Sequence, residues 1–85
     1  MFYTNVKMKK KILIKFGNKV RQERMKQGLS QERLAIKAGV HRTYIGMVER
    51  AEKNITLLNI EKITKALNTK ITDLFGGNDE RKFEL

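Results

Sequence analysis

The chain contains no cysteine and no proline, and has a single histidine among its 85 residues. Without cysteine there is no disulfide and no thiolate metal site, so packing alone must hold the fold, as suits a reducing cytoplasm. The one histidine, His41, cannot form a metal site by itself, and no nucleophile, base and orienting acid fall at a suggestive spacing. Neither a catalytic residue, a metal nor a cofactor is therefore expected. No stretch approaches the roughly 20 consecutive apolar residues of a membrane span. The opening MFYTNVKMKKKILIKFG puts lysines where a secretory signal needs an apolar run of roughly 7 to 15 residues. The length suits one small core, so residues 1–85 read as a single domain with a basic N-terminal segment over 1–10 and a polar tail over 76–85.

What is abundant is positive charge, and its placement is uneven. Residues 1–54 hold fourteen Lys and Arg against four Glu, which is +10; residues 55–85 hold five basic and five acidic residues, which is neutral. One face is thus suited to a polyanion and the other to a different task. Lys7, Lys9, Lys10 and Lys11 are either an arm along phosphates or the solvated start of the first helix.

Apolar residues recur at helical spacing almost throughout, which predicts an all-α fold of short helices. Ile12, Leu13, Phe16 and Val20 form one stripe, with Arg24 at its edge, and Gly28 ends that first helix. Ser30 caps a second helix over about Gln31–Ala38, with Glu32 in its first turn and Leu34, Ala35 and Ala38 turned inward. Gly39 breaks it, Val40 plugs the corner, and VHRTYIGMVER begins a third. Thr56 caps a fourth with an inward stripe of Ile60, Ile63 and Leu67, closed above by Leu57 and ended by Asn68. Thr72 starts a short fifth helix containing Leu74 and Phe75, which Gly76 and Gly77 stop.

The third helix divides by angle. With Arg42 at zero, Gly46, Arg50, Thr43 and Met47 follow at about 40°, 80°, 100° and 140°, while Ile45 and Val48 face the other way, flanked by Tyr44 and Glu49. The first group offers two guanidinium groups, a hydroxyl, a thioether and one position without a side chain. A major groove admits an α-helix, and arginine can donate two hydrogen bonds to guanine, so this surface fits base edges and phosphates. Glycine within a helix costs about 0.8 to 1 kcal/mol relative to alanine. Gly46 therefore reads either as a site of close approach to DNA or as drift at a tolerant position. The Tyr44 ring packs against the core edge, contacts DNA, or does both.

Gln31, Ala35, Gly39, Val40, Ile45 and Val48 together resemble the helix-turn-helix of the Cro and lambda-repressor-like family. The likeness runs on through FGNKVRQERMKQGLSQERLA at 16–35 and NITLLNIEKITKALNTKITDLF at 54–75. RTYIGMVER followed by Asn54 looks most like the controller proteins of restriction-modification systems, with small phage and plasmid repressors close behind. The resemblance implies a compact five-helix DNA-binding domain, with helices 2 and 3 as the reading pair, bound as a symmetric dimer to a pseudo-palindromic site. It implies base contacts from Arg42, Thr43, Tyr44 and Met47. Backbone contacts come from Gln31, Arg50, Lys53 and Asn54, with His41 and Gly46 beside them, and Arg24 and Glu49 form an internal salt bridge. The sequence departs from the family pattern in three places. His41 replaces the usual Ser, Thr or Asp cap, giving a weaker cap or another task. Gly46 replaces a common serine. Ala51 stands where glycine often ends the helix, so helix 3 is expected to run longer or close less sharply.

The neutral half is the expected dimer interface, through Leu58, Leu74, Phe75 and Phe83 on helix 4, helix 5 and the tail. A regulator of its own or a neighbouring promoter is the function these features imply. The rival is an antitoxin-type module that neutralises a protein partner, which a co-purifying protein would reveal. A nuclease would need carboxylates that the basic face lacks.

Overall fold

The computed structural model describes residues 10–75. Lys7, Lys9, Phe83 and the tail over 76–85 lie outside them. Five helices follow in order: α1 (Lys11–Lys26), α2 (Gln31–Ala38), α3 (Arg42–Glu49), α4 (Leu57–Ala66) and α5 (Ile71–Phe75). Among the described residues no helix is long and apolar enough to cross a membrane.

Each helix starts and stops for a local reason. The Ser30 hydroxyl accepts from the Arg33 N–H at 3.0 Å and the Thr56 hydroxyl from the Asn59 N–H at 3.1 Å, satisfying donors that a helix start leaves open. His41 does the same for α3, its Nδ1 accepting from the Thr43 N–H at 3.1 Å. The imidazole is therefore the cap of α3. Four helices close alike, on a left-handed residue just past the last turn: Gly28 (φ 72°), Gly39 (φ 72°), Ala51 (φ 60°) and Asn68 (φ 56°). The N–H of the next residue then returns to a carbonyl five positions back, as from Glu52 to Met47 at 2.8 Å. This corrects the expectation for Ala51. Helix α3 ends sharply at Glu49, and alanine bears the backbone conformation that glycine adopts freely.

The core is one cluster drawn from all five helices: Phe16, Val20, Leu34, Ala35, Ala38, Ile45, Val48, Ile60, Ile63, Leu67 and Leu74. Burying a side chain such as Leu34 or Ile45 stabilises by roughly 1.5 to 3 kcal/mol. Helix α5 covers the start of α1, where the Phe75 ring stacks on Phe16 with centroids 4.9 Å apart. Three expectations about this core are corrected. Leu74 is 1% exposed, a core residue with no surface to offer a second subunit. Ile12 is 45% exposed, because the α1 stripe is centred between Phe16 and Gly17, about 100° around the helix from it. Leu57 is 81% exposed, since at the first position of α4 it projects past the core layer.

Gly17 is what brings α1 against α3. A β-carbon there would collide with the Val48 carbonyl oxygen and lie 3.0 Å from that of Glu49, so only glycine admits this approach. The sequence signal is a glycine inside a helix beside a buried stripe, which apolar periodicity does not register because glycine carries no side chain.

Candidate nucleic-acid interface

The inner side of α3 is fixed by packing and by one ion pair. Ile45 is 0% exposed and Val48 3%. Glu49, beside them, receives Arg24 through two bonds, Nε to Oε2 at 2.7 Å and Nη2 to Oε1 at 3.1 Å. The third arm of Arg24, Nη1, donates to the Leu29 carbonyl at 2.8 Å. These side chains are only 12% and 4% exposed, and a buried charge needs such partners. Gln31, at the start of α2, joins the cluster by donating Nε2 to Glu49 Oε1 at 3.0 Å. The residue assigned to phosphate from the sequence is thus half-buried and tied to the ion pair.

The outer side carries Arg42, Thr43 and Arg50, all exposed, with Met47 half-buried. Both arginines are met by carboxylates, a pairing that the helical wheel of α3 does not show. Arg42 lies 3.6 Å from Glu32 of α2, and Arg50 Nε donates to Glu52 at 3.1 Å. The hydrogen bond and charge of Glu52 raise the Arg50 guanidinium above its usual pKa. Solvent and salt screen such exposed pairs, so they orient the arginines without locking them. Lys53 and Asn54 follow, exposed, in the loop after α3.

Tyr44 sits on the inner side where the helical wheel puts it, and Gly46 departs from the wheel. Tyr44 packs against the core, and its hydroxyl accepts from Asn59 Nδ2 of α4 at 3.0 Å, so the ring links α3 to α4. Gly46 is buried under the side chains of Arg50 and Gln31. Gln31, Glu32, Arg42, Thr43, Gly46 and Arg50 line one shallow depression between α2 and α3. Among the described residues no group of three His, Asp or Glu side chains could hold a metal.

Two short helices packed at a three-residue turn, the second with a locked inner side and a cationic outer side, define a helix-turn-helix protein. The helix-turn-helix family model matches residues 20–74, and the chain belongs to that family. It is 48% identical over 80 residues to control protein C.BamHI of Bacillus amyloliquefaciens, covering 88% of this chain and 99% of that one. The crystal structure of the restriction-modification controller protein C.AhdI from Aeromonas hydrophila superposes with a TM-score of 0.72 at 46% identity, over 74% of this chain and 96% of that one. The C.Esp1396I controller tetramer, solved on its natural 35 base-pair operator, gives 0.72 at 33% identity over 78% and 87%.

Proposed function

We propose that this chain is a sequence-specific transcription regulator of double-stranded DNA, a controller-type protein acting as a homodimer in the cytoplasm at its own or a neighbouring promoter. The carrying observation is the outer side of α3, where Arg42 and Thr43 stand exposed on a helix whose inner side is held by the core and by Arg24 and Glu49. Arg42, Thr43 and the edge of Met47 enter the major groove, and Tyr44 reaches DNA only by the side of its ring that α4 leaves open. Gln31, His41, Arg50, Lys53 and Asn54 hold phosphates. The role is binding; no residue is assigned a catalytic one. The described domain serves as a single DNA-binding unit.

A second copy is the partner of the neutral side. Leu57, Leu58 and Ile71 are exposed there, at 81%, 60% and 44%. A relative that assembles as a tetramer on its operator supports self-association. Leu58 keeps its assignment to that interface, Phe75 contributes an edge of its stacked ring, and Ile71 takes the place given to Leu74.

Selection of bound duplexes from a random pool, followed by titration against salt, tests the assignment. A two-fold related sequence should emerge, and the logarithm of affinity should fall with the logarithm of salt at a slope of about −5 to −8. A pool with no enriched sequence, or a flat salt response, would refute it.

A further inference from the structure

Gly46 lies in the middle of α3, and the space beside it is filled by this chain's own groups. A β-carbon on Gly46 would stand 3.1 Å from Nη1 and 3.8 Å from Cζ of Arg50, and 3.5 Å from Oε1 of Gln31. All three are atoms at the far ends of flexible side chains; no core atom and no backbone atom of another segment is as near, so the packing of the fold does not require glycine here. Arg50 follows Gly46 by four residues, and its side chain lies back over the preceding turn, as helical side chains do. Its Nε is meanwhile held by Glu52 at 3.1 Å. The guanidinium is thus laid along the helix, between a carboxylate and a bare stretch of backbone, at the rim of the depression that Arg42 and Thr43 also line.

We infer that Gly46 is a positioning residue for Arg50, giving its guanidinium a seat against α3 from which it meets DNA already oriented. This rests on the reading that Arg50 contacts DNA. A long side chain that is placed before binding loses less rotamer freedom on binding, and a planar guanidinium gains most from a fixed direction. A helix-interior glycine weakens a helix relative to alanine, so the reading element gives up some helical preference for this seat. A methyl group at position 46 would lift the guanidinium by a few tenths of an ångström and leave the backbone of α3 unchanged.

Thermal unfolding and fluorescence anisotropy on the selected duplex, at one salt concentration, test this with Gly46→Ala, Arg50→Ala and the double variant. Gly46→Ala is expected to melt at or above the wild-type temperature yet bind roughly three- to tenfold more weakly, and to add no loss in the Arg50→Ala background. Gly46→Ala binding as tightly as wild type, while Arg50→Ala binds weakly, overturns the seat and leaves the DNA contact standing. A Gly46→Ala loss of equal size without Arg50 also overturns it, since the duplex itself would then need the space. Arg50→Ala binding as tightly as wild type removes Arg50 from the interface, and the functional assignment of that residue fails first.

Discussion

The two sides of α3 are built to opposite rules. On the inner side the neighbours are close and largely shielded from solvent: the Val48 and Glu49 carbonyls rest against Gly17, and Arg24 clasps Glu49. On the outer side Arg42 and Arg50 are solvated and meet the carboxylates of Glu32 and Glu52 at 3.6 and 3.1 Å. Low dielectric and tight packing make the first side decide whether the helix is in place; flexibility and charge make the second decide what it touches. Stability and recognition are therefore separable on one short helix, by direction of substitution.

Gly17→Ala should break the comparison hardest, because the added carbon meets backbone that cannot swing away. A loss of about 3 kcal/mol or more is expected in urea unfolding, and near-wild-type stability would show that α1 can slide on α3. Glu49→Ala comes next, at about 2 to 3 kcal/mol, below the usual cost of splitting a buried pair; Arg24 retains its bond to the Leu29 carbonyl and some solvent. Arg42→Ala acts from the other side: about 1 to 3 kcal/mol of base discrimination should vanish with unfolding unchanged. Equal weakening on selected and random duplex would make Arg42 a phosphate contact. The smallest effect sharpens the picture at the end of the helix. Ala51→Gly relieves a left-handed residue, worth roughly 1 to 2 kcal/mol, and removes a buried methyl worth about 0.8, for a net gain of roughly 0.2 to 1.2 kcal/mol. A lower melting temperature would mean that the methyl dominates.

Much of the scaffold was legible because it is written locally. Ser30, Gly39, Thr56 and Asn68 bound α2 and α4 where side-chain caps and left-handed residues must act, and the angular division of α3 separates Ile45 and Val48 from Arg42 and Thr43. Periodicity tells which way a residue faces, however, and not where the core stops. Leu57 lies beyond its end and Leu74 inside it, while the stripe that periodicity draws through Ile12 has its true centre about 100° away. The wheel also fails at Gly46, where burial comes from what Arg50 and Gln31 do above it. The bond between Arg24 and Glu49 spans 25 positions and that from Gln27 to the Leu67 carbonyl spans 40, separations at which local pattern carries no information. Family resemblance suggested the first pair; nothing pointed to the second. The Tyr44 hydroxyl shows the same limit, since its partner Asn59 belongs to a helix whose approach the sequence does not state.

The guanidinium of Arg24 grips α1's own exit turn at Leu29 and, through Glu49, the far end of α3. A chain with only some of those pieces assembled would strand a desolvated charge, so partial assembly is penalised and folding becomes all-or-none. The two-helix reader cannot then be excised as a free-standing peptide: a fragment from residue 28 onward would keep the letters of the recognition helix and lose the clasp that holds it to its task.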